Sequence, residues 1–211
     1  MSEKNNPKIV IIDYGVGNLY SLRKACAMFT DKVMITEDPS TIELADAIIL
    51  PGVGAFRAGM DGLTKRGLVK VVIKFAASGK PILGICLGAQ LMLEKGYEFG
   101  KFKGLGLIPG KVVMFPKLKN AKVPQIGWNK IKFSKNNNLF NSLRSEPYVY
   151  FVHSYVLKPT KQNSILAETV YGSHKFCSAV KSGNIYGTQF HPEKSGAAGL
   201  KIIENFIKLA L

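Results

Sequence analysis

Residues 81–95 read Pro-Ile-Leu-Gly-Ile-Cys-Leu-Gly-Ala-Gln-Leu-Met-Leu-Glu-Lys, and this segment indicates the class of fold. The apolar run 81–85 predicts a buried parallel strand, and the residues after Cys86 predict a helix to about Lys95. A cysteine between them, with Gly84 and Gly88 on either side, fits a nucleophile elbow with Cys in place of Ser. An elbow residue takes a strained backbone conformation, so its neighbours must be small. The pattern therefore predicts an α/β sheet that presents the sulfur at its edge.

This context makes Cys86 a candidate nucleophile. A helix that begins at the elbow has free N–H groups and a positive dipole end, which lower the pKa of a thiol. The backbone N–H of Leu87 can face an oxyanion. By contrast, Cys26 lies on an apolar helix face and Cys177 lies beside Phe176 in a strand pattern. Both are predicted to be buried apolar residues.

A cysteine nucleophile needs a base, and the base needs a group that orients it. His191 ends a strand-like run and is followed by a proline and Glu193, so the imidazole is held and the carboxylate can reach back to it. His153 lies inside a strand-like run, and His174 lies in a polar turn. We therefore predict a triad of Cys86, His191 and Glu193.

The rest of the chain extends the α/β pattern. Strands are predicted at residues 8–13, 33–36, 46–50 and 81–85, and helices over 18–29 and 199–209, with one or two helices over 56–77. From Gly100 on, short strand-like runs separated by turns predict additional antiparallel strands. The predicted fold is a mostly parallel central sheet flanked by helices, with those antiparallel strands in the C-terminal half. With neither a linker nor a repeat, residues 1–211 are predicted to form a single domain.

Composition narrows the classes of function. The chain has 211 residues, 46% hydrophobic and 20% charged, which excludes a wholly disordered protein. Its apolar runs are too short for a membrane span, and the N-terminus lacks the apolar stretch of a signal peptide. Three cysteines, an odd number, suit a reducing compartment. We therefore expect a cytoplasmic protein with no membrane partner.

The charge balance is unusual, with 29 basic and 14 acidic residues and a formal net charge of +15. Such a balance suggests an anionic partner, and a nucleic-acid-binding domain is the alternative that rests on it. However, only four of the basic residues are arginine, and the lysines are scattered without a dense block. We therefore expect a lysine-rich surface and no nucleic-acid partner.

Complete dinucleotide, phosphate-loop and zinc motifs are missing from the sequence, so no cofactor and no metal are expected.

Three motifs together resemble the class I, or triad-type, glutamine amidotransferases. Residues 84–90 (Gly-Ile-Cys-Leu-Gly-Ala-Gln) resemble the nucleophile motif of this family, and residues 189–193 (Gln-Phe-His-Pro-Glu) resemble its His–Glu motif. Residues 51–54 (Pro-Gly-Val-Gly) resemble its oxyanion strand. The resemblance implies that Cys86 attacks the side-chain amide of L-glutamine and forms a thioester. It also implies that His191 passes a proton to the leaving ammonia and that Glu193 orients His191.

The same resemblance implies roles for further residues. The oxyanion would be held by backbone N–H groups near Val53 and Leu87. The substrate-binding set consists of Gly52, Gly54, Gln90, Glu98, His153, Ser154 and Tyr155. The partner-interface set consists of Asn18, Trp128, Tyr150 and Lys194.

A narrower resemblance, over nearly the whole chain, is to the glutaminase subunits of imidazole glycerol phosphate synthases. It is carried by residues 13–18, 51–56, 104–110, 127–129 and 191–195. Such subunits hydrolyse L-glutamine and channel ammonia to a (β/α)8 cyclase subunit. The cyclase makes imidazole glycerol phosphate and the by-product AICAR in histidine biosynthesis. The resemblance therefore implies a heterodimer with the ammonia acceptor on another protein.

Three positions depart from this narrower pattern. Gln125 stands where His is expected, Met114 where Arg is expected, and Val156 where Tyr is common. A paralogous glutaminase subunit, which supplies ammonia to a cyclase-like synthase that amidates a cell-surface sugar, is therefore an alternative. A different Cys-elbow hydrolase is a second alternative. In α/β-hydrolases, however, the acid precedes the histidine.

Overall fold

The computed structural model describes residues 6–117, 121–134 and 137–211. The first half of the chain supplies four parallel strands: β1 (Ile9–Ile12), β2 (Val33–Thr36), β3 (Ala47–Leu50) and β4 (Ile82–Ile85). β1 pairs with β2 and β3, and β3 pairs with β4. Every residue of β1, β3 and β4 is buried, as expected for continuous apolar runs covered on both faces.

Six helices accompany the sheet in the described residues: α1 (Leu19–Ala27), α2 (Pro39–Glu43), α3 (Phe56–Lys65), α4 (Leu68–Ala77), α5 (Leu87–Leu91) and α6 (Gly196–Lys208). The Asn18 side chain accepts from the Ser21 N–H and caps α1. The sequence patterns missed α2, although Asp38 before Pro39 is a helix-start signal.

The helix predicted from Cys86 to about Lys95 is wrong in length. α5 ends at Leu91, and a strand, β5 (Leu93–Gly96), follows it. The physical reason is that the carbonyl groups of Leu91 and Met92 accept N–H groups from residues 105, 107 and 108. These long-range bonds take the place of further helical turns.

The described part of the second half adds nine strands to this architecture: β6 (Phe102–Lys103), β7 (Ile108–Met114), β8 (Gln125–Lys130), β9 (Lys132–Phe133), β10 (Tyr148–His153), β11 (Tyr155–Pro159), β12 (Ile165–Tyr171), β13 (His174–Ser182) and β14 (Ile185–Thr188). β14 is antiparallel to β13 and parallel to β4. β8 and β10 form a separate antiparallel pair. The predicted fold class is confirmed, and β14 ends beside the elbow that follows β4.

Two apolar clusters pack on opposite faces of the sheet. Ile9 and Ile11 of β1 belong to the cluster that includes residues of α1 and α6, and the alternate residues Val10 and Ile12 belong to the one that includes residues of α3 and α4. Burial in these clusters raises the pKa of the Cys26 thiol, which is also close to Glu193, to about 12. Burial likewise raises the pKa of Cys177 to about 12. These two cysteines are therefore buried apolar residues, as predicted.

Candidate active site

The turn between β4 and α5 has the geometry of a strained elbow. Cys86 adopts φ +52° and ψ −107°, a conformation that costs energy for a residue with a side chain. A side chain at Gly88 would collide with the Leu50 carbonyl, and one at Gly84 would come within 2.7 Å of the Ala89 nitrogen. The two glycines thus allow the close backbone approach that the turn requires.

β14 brings the His–Glu motif to this elbow. The Cys86 N–H donates to the carbonyl of Thr188, the last residue of β14, at 2.7 Å. Beyond that strand, the His191 N–H donates to the Tyr150 carbonyl of β10 at 2.9 Å. His191 Nδ1 lies 2.8 Å from Glu193 Oε1, and both side chains are buried. The structure therefore brings the three predicted triad residues together.

The environment of His191 favours its charged form. Burial lowers its pKa, but hydrogen bonding and charge interactions with Cys86 and Glu193 outweigh burial and raise the pKa to about 9. Because Glu193 holds Nδ1, the proton that moves during a reaction has to use Nε2. Within the described residues, Nε2 is buried and has no aligned hydrogen-bond partner. Its interaction with the Cys86 sulfur is therefore looser than a standard hydrogen bond, as is common before substrate binds.

A cleft of about 430 Å³ opens at the sulfur of Cys86. The sequence-predicted residues that line it are Val53, Gly54, Cys86, Leu87, Gln90, Glu98, His153, Ser154, Tyr155 and Lys194. Gly52, the remaining member of the substrate-binding set, lies in an adjoining pocket with Asn18, His191, Glu193 and Lys194. The Glu98 carboxylate accepts from the Phe56 N–H at the start of α3, at 2.6 Å, which fixes one wall of the cleft.

His153 forms an uncharged wall of the same cleft. Its Nδ1 lies 2.8 Å from the Tyr155 carbonyl, which can only accept, so Nδ1 carries the proton. Burial lowers the pKa of His153 to about 4, since Phe115, Phe151 and Phe176 surround the ring. His153 is therefore neutral at physiological pH and is unsuited to bind an anion by charge.

The oxyanion region differs from the expectation. The Leu87 N–H donates to the Gly52 carbonyl at 3.3 Å, so it does not face the cleft as a free donor. Pro51, which precedes Gly52, is also hydrogen-bonded, because its carbonyl accepts from the buried Tyr14 hydroxyl. The expectation that Leu87 presents its N–H to an oxyanion is thus not met in this conformation, since the Gly52 carbonyl lies in the way.

The partner-interface set forms a surface beside the triad. Trp128 is 56% exposed, and its ring packs edge-on against Tyr150 with 6.1 Å between centroids. The Lys194 Nζ lies 5.8 Å from the centre of the Tyr150 ring. Asn18 and Lys194 both line the small pocket next to His191. We call these four residues the rim surface.

The three departures from the narrower pattern lie outside the triad. Gln125 is buried on β8 and pairs across the ladder with His153. Val156 is buried in the core, whereas Met114 is largely exposed at the end of β7.

In the described part of the chain, no cluster of three or more His, Cys, Asp or Glu side chains is suited to hold a metal ion. Nor does any helix within these ranges have the length and apolarity needed to cross a membrane.

Comparisons with known proteins define the class. Residues 10–209 match the family Glutamine amidotransferase class-I. The fold is similar to the crystal structure of a glutamine amidotransferase, with a TM-score of 0.74 at 17% identity, covering 95% of this chain and 98% of that one. It is also similar to the structure of PurLQS from Thermotoga maritima, with a TM-score of 0.72 at 19% identity over 96% and 98% of the two chains. The chain belongs to the class I glutamine amidotransferases, which confirms the resemblance seen in its motifs.

The relatives with higher identity narrow the assignment. The imidazole glycerol phosphate synthase subunit HisH of Sulfurimonas denitrificans is 49% identical over 203 residues, 95% of this chain and 97% of that protein. The HisH subunit of Aquifex aeolicus is 43% identical over 204 residues, 96% and 97% of the two proteins. Within its class, the chain therefore belongs to the HisH family.

Proposed function

We propose that this chain is the glutaminase subunit of an imidazole glycerol phosphate synthase. It hydrolyses L-glutamine to glutamate and channels ammonia to a (β/α)8 cyclase subunit, which forms imidazole glycerol phosphate and AICAR. The observation that carries the proposal is the strained Cys86 elbow beside the buried His191–Glu193 pair, at the end of a cleft. Membership of the HisH family supports the choice of partner and pathway.

The triad supplies the proton transfers of amide hydrolysis. Cys86 gives its proton to His191 Nε2, and the thiolate attacks the carbonyl carbon of the glutamine side chain. The new C–S bond pushes the carbonyl electron pair onto oxygen. When that pair returns, the C–N bond breaks, and the nitrogen takes the proton from His191 and leaves as ammonia. Water then attacks the thioester with His191 as base, which releases glutamate and restores the thiol.

Glu193 makes His191 suited to this task. Its carboxylate fixes the ring so that Nε2 is the exchanging nitrogen, and its charge stabilises the imidazolium that forms. The raised pKa of His191 makes its Nε2 a better acceptor for the proton that Cys86 gives up. The Glu193 carboxylate, which orients His191, thus acts on the reaction without touching substrate.

The cleft and the rim surface give the substrate and the partner separate positions. We propose that the residues lining the cleft hold glutamine, with the Glu98 carboxylate attracting its ammonium group. The rim surface adjoins the triad through the pocket that Asn18 and Lys194 line. A cyclase bound there would receive ammonia close to where it is released. We further propose a cytoplasmic location, in keeping with three free thiols. We also propose that residues 1–211 form a single domain.

The test is reconstitution with two candidate partners: a (β/α)8 cyclase encoded among histidine genes, and a cyclase-like synthase encoded among sugar genes. We expect glutamine-dependent formation of imidazole glycerol phosphate with the first. Glutamine-dependent amidation of a sugar with the second, and no product with the first, would replace the proposal by the paralogous function. Hydrolysis of simple esters but not of glutamine would instead indicate another Cys-elbow hydrolase.

A matched pair of variants tests the rim surface in the same experiment. Trp128→Ala removes an exposed indole from the rim surface, and we expect the affinity for the cyclase to fall at least about tenfold. Leu44→Ala removes an exposed apolar side chain that follows α2, outside the rim surface, and should leave the affinity unchanged. Equal affinities for both variants would exclude Trp128 from the interface.

A further inference from the structure

One hydrogen bond to the Cys86 sulfur comes from outside the triad. Gln189 is fully buried directly after β14, two residues before His191. Its Nε2 donates to the Cys86 Sγ at 3.7 Å. The thiol itself donates to the Val152 carbonyl at 3.8 Å. These two contacts favour opposite states, because the carbonyl only accepts and suits the thiol, whereas the amide N–H donates and suits the thiolate.

The orientation of the Gln189 amide follows from a backbone carbonyl. The Tyr155 carbonyl can only accept, so the group that faces it must be the Nε2 of Gln90, at 3.2 Å. The same Nε2 donates to the Oε1 of Gln189 at 3.1 Å. With Oε1 engaged in this way, the Nε2 of Gln189 faces the sulfur. The polarity of the whole chain of bonds is therefore set by the main chain and not by the choice of amide conformer.

The backbone of Gln189 is held as firmly as its side chain. Its N–H donates to the Ser178 carbonyl of β13 at 2.9 Å, and the neighbouring Thr188 carbonyl accepts from the Cys86 N–H at 2.7 Å. The amide donor thus stands beside the nucleophile before any substrate arrives, and no loop has to be ordered. α5 is a helix of only 5 residues, so its dipole stabilises a thiolate less than that of the longer helix expected from the sequence. A side-chain donor at the Cys86 sulfur therefore matters more.

We propose that Gln189 is a positioning residue for the nucleophile: its amide donates to the Cys86 thiolate, and Gln90 holds that amide in the donating orientation. A hydrogen bond to a charged acceptor is stronger than one to a neutral acceptor, so the contact stabilises the thiolate more than the thiol. The kinetic consequence of this role rests on the proposed glutaminase function. Its chemical consequence, the readiness of Cys86 to ionise, does not.

The experiment follows alkylation of Cys86 by iodoacetamide across a range from about pH 5 to about pH 10, because only the thiolate reacts. The labelled Cys86 peptide is quantified by mass spectrometry. Gln189→Met keeps the length of the side chain and removes both the donor and the acceptor. We expect the midpoint of its alkylation profile to move upward by about one pH unit, so that labelling at neutral pH is about tenfold slower.

A kinetic measurement on the complex with the cyclase complements the labelling. For Gln189→Met we expect kcat to fall about tenfold at neutral pH with little change in KM for glutamine. The deficit should shrink as the pH rises, because hydroxide then replaces the missing help in forming the thiolate. A loss caused only by disturbed packing would persist at every pH.

Matched controls come from the same chain. Gln125→Met removes another buried glutamine, for which no hydrogen bond to the Cys86 sulfur is present among the described residues, and its alkylation profile should equal that of the wild type. Cys26 and Cys177 serve as internal references, since burial raises the pKa of each thiol to about 12 and both should label slowly.

Each outcome decides the inference. An unchanged alkylation midpoint in folded Gln189→Met would overturn it. Should that variant fail to fold, Gln90→Met carries the test, because loss of the orienting amide should raise the midpoint by a smaller amount, and no rise would overturn the inference. A raised midpoint together with a wild type that never hydrolyses glutamine would uphold the role of Gln189 and refute the proposed function.

Discussion

The backbone N–H of Leu87 is hydrogen-bonded to the carbonyl oxygen of Gly52 at 3.3 Å. Leu87 follows the nucleophile directly, and Gly52 lies in the segment 51–54, which was expected to form the oxyanion hole. A donor that is already paired cannot stabilise the negative charge of a tetrahedral intermediate. The Gly52 carbonyl must therefore rotate away before the hole is complete, and Gly54 at φ +120° provides backbone freedom two residues further along the chain.

The first prediction concerns the rate of the isolated subunit. Loss of one oxyanion donor costs roughly 100- to 1,000-fold in kcat. We expect kcat for glutamine hydrolysis to rise by at least about 100-fold when the cyclase subunit and the substrate to which it adds ammonia are bound. The measurement is glutamate release with and without the partner. Equal kcat values in both states would show that the Leu87–Gly52 bond does not limit the reaction.

The second prediction concerns the hydrogen bond that anchors the same segment, residues 51–54. Tyr14 is buried and donates its hydroxyl to the Pro51 carbonyl. Tyr14→Phe leaves this carbonyl without its donor, and a buried group left unpaired costs about 1–3 kcal/mol. The free energy of unfolding measured in urea should fall by that amount.

Tyr186→Phe is the control for the loss of a buried hydroxyl. Tyr186 is equally buried, but its ring packs under Lys181, and its hydroxyl takes part in none of the hydrogen bonds found among the described residues. We expect a change in stability below about 0.5 kcal/mol. A similar loss in both variants would mean that the Tyr14–Pro51 bond has no special weight.

The third prediction is a pH dependence centred on His191. The pKa of His191 in the folded protein is raised to about 9, above its ordinary value of 6.5. The stabilisation from its charged form is therefore fully present below pH 6.5 and is lost as the pH rises toward 9. In Glu193→Gln the carboxylate is gone, so the titration midpoint of His191 should move downward by at least about one pH unit.

An NMR titration of labelled histidine measures this midpoint directly. His153 is the internal reference, because burial and the charge of the neighbouring His191 lower its pKa to about 4, and at that pH His191 is expected to be protonated in both proteins. Its signal should be the same in wild type and Glu193→Gln. A His191 midpoint that stays in place after the substitution would show that Glu193 does not hold the imidazolium.

The fourth prediction concerns the glycine frame of the elbow. A methyl group at Gly88 would run into the Leu50 carbonyl, which belongs to the central sheet and cannot move freely. Gly88→Ala should therefore lower the free energy of unfolding by about 1–3 kcal/mol or more.

Gly59→Ala in α3 is the matched control, because the methyl group would meet the flexible side-chain ends of Leu87 and Leu91 of α5. Alanine also favours a helix over glycine by about 1 kcal/mol. We expect a change in stability within about 1 kcal/mol of zero. A loss as large as that in Gly88→Ala would point to general crowding and not to the elbow.

The parts of the site carried by local patterns could be predicted from the sequence. Cys86 between two glycines and the close spacing of His191 and Glu193 are short-range features, and the α/β rhythm indicated where they lie. The insertion of β14 between β4 and β13 could not be read, because strand pairing is a long-range choice among many apolar runs. It is this pairing that brings residue 189 and the triad histidine to the elbow.

Two other features of the structure depend on side-chain and backbone conformations that leave no pattern in the sequence. The end of α5 at Leu91 follows from hydrogen bonds to residues 105–108, whereas residues 86–95 alone favour a longer helix. The Leu87–Gly52 bond depends on the orientation of one peptide group, which glycine permits in either direction. The sequence therefore indicates Gly52 as a candidate site residue, but it does not determine the orientation of its carbonyl group.

The most direct measurement of the central claim is glutamine hydrolysis by Cys86→Ala in complex with the cyclase subunit. We predict that glutamate release falls at least about 1,000-fold, because the nucleophile is gone. Synthesis from added ammonium salt should continue, and Cys177→Ala, which removes a buried thiol away from the triad, should keep its stimulated glutaminase activity. Undiminished stimulated hydrolysis by Cys86→Ala would show that Cys86 is not the nucleophile.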